Sequence, residues 1–256
     1  MNGPNEKYSI EAKIIGVKTI DPAEHVFLQD QHLTGESFSG MRVASFGSLR
    51  CTFERCDFSK LKSDQVSLAS GKEPSNYIEC IFDGTKFRKL LLGQARLERC
   101  RFLDVKMESV FSHSAEFVDC VFSGSMRKVV MYGRLGGMDA EFTSRRVNEI
   151  RGNDFSSVRM SDVSFRQGVD LRSQKLPIGE HYSILEAAER KLSAVRGKWV
   201  GMPASDVRTE VLAYLNILVE DVLEGQSDLF LCRDSAPYLS ETTIRELWKN
   251  LAESSA

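Results

Sequence analysis

The sequence predicts an all-β solenoid closed by a helical tail. Two observations predict the solenoid and a third the tail. Mostly large apolar residues recur at a spacing of five between Leu33 and Phe122, broken at 71–76, and a second, mostly small or apolar set runs two places before most of them. Neither a helix (period 3.6) nor a flat strand (period 2) yields a period of five. A chain that turns a corner every five residues does, because one or two residues per side then point inward. Beyond about residue 178 the period becomes helical.

Residues 1–30 read as an N-terminal strand and cap. Tyr8, Ile10, Ala12 and Ile14 alternate with Ser9, Glu11 and Lys13, the pattern of a half-buried strand. The apolar piece His25-Val26-Phe27-Leu28 follows the turn signal Asp21-Pro22. A lid of this kind is expected over one end of a repeat stack, since an open end pairs edge to edge with other copies.

Residues 31–172 carry the repeat. Leu33, Phe38, Val43, Ser48, Phe53, Phe58, Ser63 and Leu68 are spaced by five, preceded at two places by Met41, Phe46, Cys51, Cys56, Leu61 and Val66. The stretch GKEPSN at 71–76 reads as a loop. The period resumes at Tyr77 and runs through Phe82, Phe87, Leu92, Leu97, Phe102, Met107, Ser112, Phe117 and Phe122. Beyond Phe122 the phase weakens. Arg127 and Gly137 fall on central slots, Tyr132, Phe142 and Val147 still fit, and an irregularity is expected near 145–153, because Phe155, Met160 and Phe165 return in a shifted phase.

Cys51-Thr52-Phe53-Glu54-Arg55, Cys56-Asp57-Phe58-Ser59-Lys60 and Asn153-Asp154-Phe155-Ser156-Ser157 resemble units of the pentapeptide-repeat family. That unit is a small residue, often an acidic or amide residue, a central Leu or Phe, often a Ser or Thr, then any residue. The resemblance implies a right-handed quadrilateral β-helix with four units and 20 residues per coil. The family's better-known members protect DNA gyrase by resembling DNA in shape and charge, and dimerise through their C-terminal ends. Those mimics are strongly acidic. Here residues 31–172 carry 22 basic and 18 acidic side chains, so DNA mimicry is not expected and no functional residue of that family is carried over.

A 20-residue coil places residues i and i+20 on neighbouring rungs, about 4.8 Å apart. Phe82, Phe102, Phe122 and Phe142 then form one inner ladder, and Cys80, Cys100, Cys120 and Ala140 another. Outside, Glu79–Arg99–Asp119 and Arg88–Glu108–Lys128 alternate in sign and Arg96 lies over Glu116, which reads as structural charge pairing.

Residues 173–256 read as a helical domain, with 9 basic and 13 acidic side chains. Leu185, Ala188, Leu192, Val195 and Trp199 step at helical spacing. Ser205 is the expected N-cap of a second helix with Val207, Val211, Leu215, Leu218 and Val222 on one face; Leu212, Ile217 and Val219 widen the apolar surface and predict that this helix is central. Gly225 ends it, Asp228–Cys232 is extended, and Ser240 caps a third helix with Ile244, Leu247, Trp248 and Leu251 inward. The three helices form a bundle or a cap over the second open end, and are the expected route to a homodimer.

No glycine-rich phosphate loop and no Cys-x-x-Cys is present, and the four histidines are scattered. Ser112-His113 near Asp119 is too loose for a catalytic triad. The stacked cysteines fall on inward small-residue slots with no solvent route, so no metal, cofactor or catalytic residue is expected, and the six cysteines are expected as reduced thiols. No apolar run approaches the roughly 18 residues of a membrane span, which predicts a cytoplasmic, non-membrane protein.

Two outward features remain. Projection at 20 residues puts Lys86, Arg88, Lys89, Lys106, Lys128 and Arg146 on one side, a basic face for an acidic protein or a phosphate backbone. The next side carries Leu91, Phe111 and Met131 as an apolar ladder that needs a cover, either the C-terminal helices or a partner. The expectation is a non-catalytic interaction or scaffold protein with a protein partner. The alternatives are a nucleic-acid or topoisomerase modulator and an immunity or antitoxin protein.

Overall fold

The computed structural model describes residues 25–87, 89–136, 140–141, 143 and 145–253. The expected strand at 8–14, Arg88 and Phe142 lie outside them. The strands run in chain order as β1 (His25–Gln29), β2 (His32–Thr34), β3 (Arg42–Leu49), β4 (Thr52–Glu54), β5 (Lys62–Ser67), β6 (Ser75–Ile78), β7 (Lys86–Phe87) and β8 (Leu90–Leu91). There follow β9 (Ala95–Glu98), β10 (Arg101–Ser112), β11 (Glu116–Val118), β12 (Val121–Tyr132), β13 (Ile150–Arg151) and β14 (Asp154–Arg166). They stack as three parallel sheets, ordered β1-β3-β5-β8, β13-β11-β9-β6-β4-β2 and β14-β12-β10-β7. This is a parallel β-solenoid, and His32↔Thr52, Ser75↔Ala95 and Phe117↔Leu97 confirm the coil of about 20 residues.

The corners explain the five-residue period. Asp30, Arg55, Lys60, Glu79, Arg99 and Asp119 sit at φ between 52° and 56°, the left-handed region. That conformation costs a non-glycine residue about 1–2 kcal/mol. It aims the corner N–H along the solenoid axis, where it finds the next coil's carbonyl: Arg55 to Ile78, Glu79 to Glu98 and Arg99 to Val118, each at 2.8 Å.

The inner ladder of phenylalanines is longer than a strict 20-residue projection gives. Phe38, Phe58, Phe82, Phe102, Phe122 and Phe155 stack in succession with ring centroids 4.7 to 5.0 Å apart. The cysteine ladder likewise begins at Cys56 and ends at Asn153. Their side chains reach the carbonyls of Leu33, Phe53, Tyr77, Leu97 and Phe117 respectively, from Cys56, Cys80, Cys100, Cys120 and Asn153. Cys56 joins Cys80 across 24 residues because residues 71–74 bulge out of the coil; Ser75 and Asn76, expected in that loop, are already in β6.

Four expectations after Phe102 are corrected. Phe102 faces Phe122, but Val105 faces Gly124, so the register slips by one residue. Met126 therefore fills the inward slot and Arg127 points out. The irregularity also lies earlier than 145–153. The chain leaves the coil after Tyr132, and a single antiparallel bridge between Arg134 and Val147 closes the neck of the excursion. Val147 is exposed, and Ala140 is not a rung of the cysteine ladder.

The tail comprises β15 (Tyr182–Leu185), α1 (Ala188–Val200), α2 (Asp206–Leu223), β16 (Leu229–Cys232) and α3 (Glu241–Glu253). Leu185, expected in a helix, ends β15, which pairs antiparallel with β16. Ser205 and Ser240 cap α2 and α3 as expected, their hydroxyls accepting from the Arg208 and Thr243 N–H groups. The central helix is α1, which packs on both others; Val207 and Ile217 of α2 are exposed.

The tail seals the last coil. Gln226 is fully buried; its carbonyl accepts the N–H groups of Gly168 and Val169 at 3.0 Å and its amide donates to Val169 O at 2.8 Å. Phe230 packs edge-on against Phe165 and stacks on Tyr182. No helix among the described residues is long and apolar enough to cross a membrane.

Candidate functional site

The sheet β14-β12-β10-β7 carries the basic face, arranged differently from the 20-residue projection. Lys86, Lys106, Ser125 and Arg159 are register partners on successive strands, so their outward side chains form one column. Arg159, missed at the sequence level, enters because the excursion at 134–147 puts 34 residues between it and Ser125. Arg127 takes the rung beside Glu108 that was expected for Lys128, and pairs with it. Lys128 sits at a corner at φ 55°. Lys89 is exposed in the bend between β7 and β8. Arg146 is not on this sheet but in the return limb of the excursion.

The apolar ladder also changes. Leu91 and Phe111 are 54% and 56% exposed, but Met131 is 2% exposed because the slip at Gly124 places it opposite Ser112. Val130 takes the outward position beside Phe111. The C-terminal domain leaves Leu91 and Phe111 exposed and seats on the end of the coil through β16 and Gln226 instead.

Charges on and beside the sheet containing β9 and β11 are paired. On the sheet containing β9 and β11, Arg96 meets Glu98, Glu116 and Glu149 at 3.5, 3.2 and 2.7 Å, and Arg145 meets Glu116 at 2.6 Å. Arg99 meets Glu79 at 3.2 Å, Arg151 meets Asp119 at 3.5 Å, and Arg101 meets Asp83 at 2.7 Å. The Arg96 and Arg151 guanidiniums hold Glu149 below the usual carboxylate range. The column differs. Lys106 reaches only Glu108, at 3.7 Å, and shares it with Arg127. Among the described residues neither Lys86 nor Arg159 has an ion-pair partner.

Where the column meets the tail, a cleft of about 800 Å³ opens between sheet and C-terminal domain. Lys106, Ser125, Arg127, Arg159 and Ser161 form its floor. His181, Tyr182 and the segment 233–244 form its wall. Arg233 pairs with Glu241 at 3.5 Å, and the Ser161 hydroxyl donates to Asp234. Sequence reasoning had no access to this cleft, since its two sides are far apart in the chain.

Within the cysteine column hydrogen bonds from Cys100 and Cys56 lower the Cys80 thiol at its neighbours' expense, and every member is buried. Burial pushes the Cys100 thiol well up, and Cys232, packed against the last coil, is pushed up to about 12. Such thiols stay protonated and are poor nucleophiles. Among the described residues no cluster of His, Cys, Asp or Glu has the arrangement of a metal site.

No family model matches the chain, and no curated protein matches it. The solved structures it is similar to include two of QnrB1. Full-length QnrB1, a plasmid-mediated fluoroquinolone resistance protein, is 13% identical, with a TM-score of 0.26, over 70% of this chain and 100% of that one. A trypsin-treated variant of QnrB1 is 14% identical, with a TM-score of 0.19, over 59% of this chain and 89% of that one. At such values nothing about partner or activity transfers to this chain.

Proposed function

We propose that this chain is a non-catalytic interaction protein, and that the outer face of the sheet β14-β12-β10-β7 is the surface it presents to an acidic protein partner. One observation carries the reading. The solenoid pairs the outward charges along the sheet containing β9 and β11 rung by rung, yet leaves Lys86, Lys106 and Arg159 in one column with at most half a carboxylate between them. Stacked like charges repel, and a cross-strand opposite charge would have stabilised each rung by up to about 1 kcal/mol. An acidic surface supplies the missing countercharges, and a stack of short rungs bridged by hydrogen bonds presents the cationic groups on a backbone that needs no further ordering.

The test is capture from a lysate of the native source on immobilised chain, comparing the natural sequence with the double variant Lys86→Glu/Arg159→Glu. The expected result is an acidic protein retained at low salt, released as ionic strength rises, and absent from the double variant at unchanged melting temperature. Retention of the same proteins by both forms overturns the reading. So does retention that nuclease treatment abolishes, which would instead favour a nucleic-acid partner.

A further inference from the structure

The cleft beside the column has a chemistry of its own, and it narrows what the partner brings. Most of its charges are already used. Arg127 pairs with Glu108, Arg233 with Glu241, and Asp234 accepts from Ser161. Arg159 remains without a partner among the described residues, and Lys106 has only its 3.7 Å share of Glu108. Both belong to the floor, two strands apart, with the small hydroxyl of Ser125 between them. The wall opposite adds apolar surface from Ala236, Pro237, Leu239 and Ile244, beside the already paired Arg233, Asp234 and Glu241. An occupant must therefore bring carboxylates or other anions on one side and an apolar group on the other.

Nucleic acid fits this poorly. Single strands are held by bases stacked on free aromatic faces. Two rings line the cleft, His181 and Tyr182; the Tyr182 ring is stacked on Phe230 at 5.6 Å and its hydroxyl accepts the Met160 N–H at 3.0 Å, which leaves only His181 for a run of bases. A peptide that alternates acidic and apolar side chains meets both surfaces, because successive residues of an extended chain point to opposite sides. The cleft lies within the roughly 300–1,000 Å³ of ordinary ligand sites, room for a short segment and not for a domain.

We propose that this cleft seats an extended acidic segment of the partner, with carboxylates on Lys106 and Arg159 and an apolar side chain against Pro237 and Ile244. The proposal rests on the reading of this sheet as the interaction face.

The probe is a fluorescein-labelled peptide of alternating Glu and Leu, titrated with the full chain and followed by fluorescence polarisation. Saturable binding is expected, weakened about tenfold or more, equivalent to about 1.4 kcal/mol, by Arg159→Glu and separately by Pro237→Asp. Lys89→Glu makes the same charge change outside the cleft and should leave the affinity within about twofold. Three results overturn the proposal: no binding at millimolar peptide, equal weakening by Lys89→Glu, or equal binding of a peptide of alternating Gln and Leu. A labelled oligothymidylate that binds in an Arg159-dependent way and displaces the peptide also overturns it. Should the peptide fail while host-protein capture still depends on Lys86 and Arg159, the cleft assignment falls and the sheet-face reading stands.

Discussion

Gly124 stands in register with Val105 so closely that a β-carbon on it would lie 2.2 Å from the Val105 carbonyl oxygen. Its φ of +103° is itself unfavourable for any L side chain. The two facts have one cause. Leu103 and Asp104 of β10 stand opposite the single residue Ser123, a β-bulge, and Asp104 N–H turns to the Ser123 hydroxyl at 2.9 Å. Gly124→Ala is expected to destabilise by about 2–4 kcal/mol, since backbone contact and φ strain act together. Denaturant unfolding followed by circular dichroism measures it, and a loss below about 0.5 kcal/mol would mean the bulge can shift at no cost.

The same bulge separates Phe111 from Met131, two residues that a strict 20-residue coil would place on one outer ladder. Met131 is buried and Phe111 is not. Met131→Ala should cost about 2–5 kcal/mol, the range for emptying a packed site. Phe111→Ala should change stability by no more than about 0.5 kcal/mol, as exposed side chains do. Comparable losses in urea titrations would show that Phe111 is covered in solution.

Asp221 of α2 is held against Arg166 of the last coil at 3.1 Å, and burial raises its carboxyl from 3.8 to about 6 despite that guanidinium. The folded protein therefore holds this proton more tightly than the unfolded chain. Its contribution is fully present below about pH 3.8 and is lost as pH rises through about 6. Relative to Asp221→Asn, the natural protein should lose thermal stability between pH 4 and pH 6.5. Parallel melting curves of the two forms across that window would refute the assignment.

The five-residue period, the inward column of cysteines and the stacked phenylalanines were legible in the sequence because each follows from local geometry. A left-handed corner every fifth residue sends the same two slots inward, whatever the neighbouring coil contributes. The caps at Ser205 and Ser240 were legible for the same reason, a hydroxyl serving an N–H three residues on. The sequence thus determined the fold class, the existence of a helical tail and the basic character of one face.

Tertiary structure alone decided which outward residues share that face. Vertical neighbours depend on the length of every intervening coil, and here the loop at 71–74, the bulge at Gly124 and the excursion at 134–147 each change that length. Those changes brought Cys56 into line with Cys80, turned Met131 inward, removed Lys128 and Arg146 from the column and set Arg159 beside Ser125. They also brought Arg159 into the floor of the cleft that Pro237 and Ile244 line from the tail. A period is a property of adjacent residues; a surface is a property of accumulated register, and one inserted or deleted residue moves every side chain that follows.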